Sequence, residues 1–131
     1  MQFEEYVKHD AMGLAELVEK GEVTAEELLE VAIARVEQVN PQLNALIHPL
    51  YDMALAQIDS GLAGPLAGVP MLVKDLFQEM QGAPHHMGNE ALKVRKVTAP
   101  YDSTIVRRWK KAGLVPFGRT NTPEFGAKGI T

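Results

Sequence analysis

The sequence predicts a mixed α/β fold in which N-terminal helices pack on a few strands. Three observations carry this expectation. Apolar residues recur at helical spacing between capping residues over the first third of the chain. Two short apolar runs fenced by Gly and Pro, residues 69–75 and 114–118, read as strands. An amphipathic stretch from Asp102 to Gly113 lies between them, which makes a βαβ-like unit, and such crossovers usually join parallel strands.

The elements follow in order. Asp10 is placed to cap a helix carrying Leu14, Leu17 and Val18, ended by Gly21 after Lys20. Thr24-Ala-Glu-Glu27 is a capping box, in which hydroxyl and carboxylate each take a backbone amide of the other residue. Leu28, Leu29, Ala32, Ile33, Val36 and Val39 form one helical stripe, and Asn40-Pro41 is expected to stop it, since proline disfavours helical geometry at the residue before it. Residues 43–49 are short and apolar and read as a strand. A helix is expected over 51–58, ending near Ser60-Gly61. Residues 61–65 are a loop before the buried strand at 69–75. Residues 81–100 hold Gly82, Pro84, Gly88 and Pro100 and no strong period, which predicts a long irregular connection of the kind that often carries function. Asp102 is the expected N-cap of a helix whose apolar stripe is Ile105, Val106, Trp109 and Ala112. Its cations gather in the last turns, where they complement the helix dipole, and Gly113 ends it.

Composition narrows the function. With 131 residues the chain has length for about one domain. A 46% hydrophobic and 23% charged composition is that of an ordinary globular protein. A formal net charge of -4 gives no electrostatic reason to expect nucleic acid or an anionic membrane as partner. There is no cysteine, so disulfides, thiolate catalysis and cysteine-ligated metals are excluded. The acidic start is unlike a secretory signal, and no apolar run approaches the ~18 residues of a membrane span, so the expected location is cytoplasmic. The stretch from Pro123 to Thr131 has no polar tail and no helix stop, and reads as a chain cut short.

Lys74 is the residue out of place. It ends the apolar run Val69-Pro-Met-Leu-Val-Lys74-Asp75, where an ammonium leaves water at a cost unless it is paired or neutralised. The C-terminal end of such a strand is where α/β sheets present functional groups. The plain alternative is that Lys74 marks the strand's exit to solvent. His85-His86 invites a metal, but adjacent loop side chains diverge. No cluster of carboxylates accompanies them, a loop pair lining a cleft is the better reading, and no metal is expected. The basic patches at 93–96 and 107–111 lack interleaved aromatics and read as solvated faces. No phosphate-binding glycine pattern occurs. Gly118-Arg-Thr-Asn-Thr-Pro-Glu-Phe125 follows a strand and is rich in polar groups. Asn121 or Thr122 capping a helix with Pro123 at its first position accounts for it, and this is compatible with a place near an active site.

Three motifs together resemble the N-terminal part of the amidase signature family: Gly64-Pro-Leu-Ala-Gly-Val-Pro-Met-Leu-Val-Lys74-Asp75, Asp102-Ser-Thr-Ile-Val-Arg-Arg-Trp-Lys-Lys-Ala-Gly113 and Gly118-Arg-Thr-Asn-Thr-Pro-Glu-Phe125. The opening helices, with Gly21-Glu-Val-Thr24 and Val39-Asn-Pro-Gln-Leu-Asn-Ala45, are similar as well. Within the family the chain is most similar in tone to bacterial amidases related to the 6-aminohexanoate cyclic dimer hydrolases. The resemblance implies that residues 1–131 are the N-terminal part of a single amidase domain, a truncated piece of an α/β/α fold. It implies hydrolysis of a carboxamide by a Ser–cis-Ser–Lys triad, with Lys74 as the catalytic lysine and no cofactor. A neutral amine would act as base through a bridging serine, and backbone amides of a Gly-rich loop would hold the oxyanion. The family's Gly-Gly-Ser-Ser-Gly-Gly-Ser stretch, which supplies both serines, is expected beyond the Thr-Asn-x-x-Glu-Phe motif. Ser60 and Ser103, the only serines, lie in no such context, so residues 1–131 alone are expected to be inactive. Many members carry a Thr/Gly/Ser-rich stretch where this chain reads Gly82-Ala-Pro-His-His-Met-Gly88-Asn89.

The expected partner is a small-molecule amide. One alternative within the family is the amidotransferase component that converts glutamyl-tRNA to glutaminyl-tRNA. Another is a non-catalytic fragment that self-associates, as a homodimer for example, through exposed apolar surface.

Overall fold

The computed structural model describes all residues, Met1–Thr131. Its elements are α1 (Phe3–Tyr6), α2 (Ala11–Glu19), α3 (Ala25–Leu43), β1 (Leu46–Pro49), α4 (Tyr51–Asp59), β2 (Pro70–Lys74), α5 (Glu90–Val94), α6 (Thr104–Lys111), β3 (Val115–Thr120) and a closing 3-10 turn, Glu124–Gly126. No helix is long and apolar enough to cross a membrane.

The three strands form one mixed sheet in the order β1-β3-β2. The β2/β3 pair is parallel, as the βαβ-like spacing predicts, running from Pro70 opposite Val115 to Lys74 opposite Thr120 with a one-residue register shift between Met71 and Leu72. The β1/β3 pair is antiparallel. The centre is β3, whose first five residues are all buried. The apolar run at 69–75 predicts a buried strand. Instead β2 is an edge strand in which only Val73 is fully buried, because β3 pairs with it on one side alone.

Helix starts follow the sequence closely. Asp10 accepts a hydrogen bond from the Gly13 amide, and both bonds of the Thr24–Glu27 capping box are made. Ala25 and Leu29 of α3, Ala54 and Ile58 of α4, and Val115 and Phe117 of β3 form the main core. A second cluster joins Leu14 and Ala15 of α2 to Val23, Leu28 and Val69. A third, Leu50, Met80, Ala83 and Val106, seats α6 against the 81–100 connection.

The chain departs from expectation at several boundaries. Proline does not stop α3. Pro41 sits in its last turn, where a missing amide forfeits one bond, and the helix ends at Asn44 in the left-handed conformation (φ 48°). The Asn44 amide returns to the Asn40 carbonyl at 2.8 Å. The Asn40 side chain in turn takes both the amide and the carbonyl of Leu46, at 2.8 and 2.9 Å, and so sets the start of β1. Residues 81–100 are more ordered than expected, with α5 and two isolated bridges, Gln81 to Ala99 and Pro84 to Thr98. Ser103, not Asp102, is the N-cap of α6, and it makes no side-chain cap bond. The Asp102 carboxylate is occupied elsewhere, by the Gln81 amide at 2.7 Å and the Lys110 ammonium at 2.7 Å. Neither Asn121 nor Thr122 caps a helix. Pro123 precedes a single 3-10 turn, and the Asn121 carboxamide accepts from the Thr122 amide next to it.

Two consequences are measurable. At Gly113 (φ +91°) an added Cβ would lie 2.5 Å from Ala67 Cα and 2.7 Å from Ala67 N. Gly113→Ala is expected to cost about 1–3 kcal/mol in urea denaturation, whereas Gly129→Ala, with open space around it, is expected to be neutral. Equal costs would refute the close approach. Burial pushes the Asp102 carboxyl up, but the Lys110 hydrogen bond and charge and the Gln81 amide together bring it below its ordinary 3.8. A lowered carboxylate contributes stability that is full above pH ~3.8 and is lost as pH falls through the folded-state value. The stability difference between the protein and Asp102→Asn is therefore expected to shrink below that pH. A difference constant with pH would show that the carboxylate charge plays no part.

Candidate active site

The site is built where β2 and β3 end side by side. Lys74, last in β2, sits opposite Thr120, last in β3. The chain leaves β3 through Asn121, and the Lys74 ammonium donates to the Asn121 carbonyl at 2.9 Å. The Lys74 backbone amide is held by the Gln78 side chain at 2.6 Å. Lys74 is half-buried, so the side chain does not simply run out to solvent.

Beside it, Asp75 and Arg119 are both fully buried and paired, Nε to Oδ1 at 3.1 Å. A charge without water needs every one of its hydrogen-bonding groups answered. The guanidinium donates further bonds from Nη1 to the Gln78 carbonyl at 2.8 Å and from Nη2 to the Lys74 carbonyl at 3.0 Å. Nη2 also lies 2.9 Å from His85 Nδ1, which must accept there because guanidinium only donates. The Asp75 carboxylate takes the His86 amide at 3.1 and 3.2 Å. Arg119 thus grips the chain on both sides of Asp75, and the 76–86 segment is shaped around the pair. Burial pushes the His85 imidazole below its usual value and Arg119 adds to this, while Asp75 and Glu79 oppose. Burial also lowers Arg119, with Asp75 opposing.

His48 arrives from β1. Its ring meets that of His86 edge-on, with centroids 4.6 Å apart, and its Nε2 lies 3.8 Å from Asp75 Oδ2. Desolvation lowers His48 below 6.5 against the pull of Asp75. These groups line a cavity of ≈ 410 Å³ with Asn44, Asn121 and Thr122 on its wall. Its far side is tied down by Asn89 Nδ2 to Glu124 Oε1 at 2.6 Å and by the Phe125 amide to the Met87 carbonyl at 2.8 Å. A larger depression of ≈ 870 Å³, between α2 and residues 62–67, shares no residue with this one.

Lys74 lies at a strand terminus beside the polar Gly118–Phe125 motif, next to but not lining the ≈ 410 Å³ cavity. Of the two adjacent histidines expected to line a cleft, only His86 does so, while His85 turns to the buried guanidinium. Sequence reasoning does not find the Asp75–Arg119 pair or His48 as site residues. The available signal for the pair is an arginine continuing directly from the apolar run 114–118.

The architecture and motifs match known proteins. The family model described as Amidase covers residues 27–131. The chain belongs to the amidase signature family. It is 44% identical over 117 residues to a 6-aminohexanoate-cyclic-dimer hydrolase of Paenarthrobacter ureafaciens, covering 89% of this chain and 24% of that protein. It is 39% identical over 119 residues to a glutamyl-tRNA(Gln) amidotransferase component of Alkalilimnicola ehrlichii, covering 86% and 24%. The solved structure of 6-aminohexanoate cyclic dimer hydrolase complexed with substrate superposes with a TM-score of 0.89 at 42% identity, over 94% of this chain and 25% of that one. The chain thus spans about a quarter of the length of the amidases it matches. Its helices and mixed sheet are part of the amidase signature α/β fold.

Breaking the pair should be costly. Arg119→Met leaves a buried carboxylate unmatched and is expected to lose about 3–5 kcal/mol. The double variant Asp75→Leu/Arg119→Met should lose less than the sum of the two single variants in a double-mutant cycle. Additive losses would mean the two charges are not coupled.

Proposed function

We propose that the protein containing this chain is an amidase that hydrolyses a carboxamide carbon–nitrogen bond, with Lys74 as general base. The observation that carries this reading is the position of Lys74. Its amine is half-buried at the end of a parallel strand pair and hydrogen-bonded to the Asn121 carbonyl at 2.9 Å, inside the region that the family match covers. In the proposed reaction the unprotonated amine takes a proton from a bridging serine, which takes one from the nucleophilic serine. The alkoxide adds to the amide carbonyl. The tetrahedral intermediate expels the amine, which leaves with the relayed proton, and an acyl-enzyme ester remains. Water then releases the acid by the same relay. A base without a nucleophile performs no acyl transfer, so both serines come from outside residues 1–131.

The hydrogen bond to Asn121 suits this role because it fixes the amine's direction while leaving its other substituent positions to face a hydroxyl. Lys74→Ala in a polypeptide that includes the serines is expected to lower kcat about 10²–10⁴-fold on simple carboxamides, with KM little changed. Residues 1–131 alone are expected to give no turnover. Turnover by that short chain, abolished by Lys74→Ala, would overturn the need for the external serines.

The identity to the amidotransferase component favours a second reading, in which the same base releases ammonia from an amide for transfer to glutamyl-tRNA. Co-purification of a small companion protein, with activity only in its presence, would select it. Turnover of linear or cyclic amides by the isolated polypeptide selects the hydrolase.

A further inference from the structure

His86 and His48 have buried ring nitrogens with no hydrogen-bond partner: both nitrogens of His86, and Nε2 of His48. Such atoms are rare in folded proteins because each forfeits its hydration without return. They face the same carboxylate. A nitrogen of His48, a nitrogen of His86 and a carboxylate oxygen of Asp75 all lie within 4.8 Å of one another. We propose that His48, Asp75 and His86 form a three-donor site for a divalent transition-metal ion that favours imidazole, such as Zn²⁺ or Co²⁺.

The donor chemistry fits. Two imidazoles and one carboxylate suit the later first-row ions and not Mg²⁺ or Ca²⁺, which take oxygen ligands. Bonds of about 2.0–2.1 Å set tetrahedral donors roughly 3.3–3.5 Å apart, and the His48–Asp75 separation is already 3.8 Å. Closing the rest takes small rotations of two rings that no hydrogen bond restrains. Asp75 Oδ1 accepts from Arg119 and shares the His86 amide with Oδ2, so Oδ2, the oxygen that faces His48, keeps a lone pair for a cation. The Arg119 charge opposes a cation here, so the site selects for strong nitrogen ligation over charge alone. The Arg119–Asp75 bond also orients the carboxylate, as partners of metal ligands commonly do. His85 is not one of the donors that converge here, and its Nδ1 accepts from Arg119. The fourth position opens to the ≈ 410 Å³ cavity, where water can complete the coordination. The expectation of no metal rests on the spacing of His85 and His86. This site uses one of those two and recruits the other imidazole from β1.

The chain has four histidines and no cysteine, so few ligand sets compete. The untagged, metal-free full chain is titrated with Co²⁺, followed by visible absorption, and with Zn²⁺ in competition. Circular dichroism of every variant checks the fold. One saturable equivalent is expected, with affinity at least about tenfold weaker in His48→Ala and in His86→Ala and unchanged in His9→Ala. Histidine-selective ¹⁵N NMR of the unaltered protein supplies a test that needs no variant. Zn²⁺ should move the ring nitrogens of His48 and His86 and leave those of His9 in place. Absence of saturable binding, binding that survives both substitutions in folded variants, or ring shifts confined to His9 or His85 would each overturn the proposal.

Discussion

Two charges with no access to water, Asp75 and Arg119, hold the site together. Asp75 lies just past β2 and Arg119 lies within β3, the most buried strand of the sheet. A buried ion pair is weak evidence of added stability, since the desolvation of both ions offsets most of their attraction. Its effect here is on position. The guanidinium bonds the carbonyls of Lys74 and Gln78 as well as the carboxylate between them, so the chain turns around it. Lysine could not replace it, because its point charge lacks the planar fork that reaches several acceptors at once. The same carboxylate binds the His86 amide and so brings the second histidine-bearing loop to the strand ends.

How far the sequence reveals this fold depends on how local the deciding interactions are. The capping bonds at Asp10 and Thr24 span three residues and are legible at once. The amphipathic stripes of α3 and α6 are equally plain, and so is the parallel relation of β2 and β3. The misreadings occur where a distant partner outcompetes a local one. Asp102 has the chemistry of a cap, yet the Gln81 amide and Lys110 use both of its oxygens. Asn40-Pro41 has the form of a helix stop, yet the Asn40 side chain is needed at Leu46 and the helix carries on to Asn44.

The site divides along the same line. The place of Lys74 at the end of β2 is legible because the apolar run before it is fenced by Gly and Pro and stops at its charge. His48 is not, since it sits in a short strand with no sequence signal tying it to residues 75 or 86. Arg119 and Asp75 stand 44 positions apart, and only the parallel pairing of their strands makes them neighbours. Adjacent His85 and His86 do diverge, as neighbours in a loop are expected to. One turns to the guanidinium, the other to His48.

The Gln78 side chain bonds the Lys74 amide on the open edge of the sheet. An edge strand invites another strand to add to it, and the invitation is withdrawn when its amides are already answered. Gln78 therefore acts as a stop at the end of the ladder. A strand approaching β2 can zip along its earlier residues but must peel away at Lys74. A segment that continues from there toward the Lys74 amine would then arrive as a loop with free backbone amides and not as a paired strand.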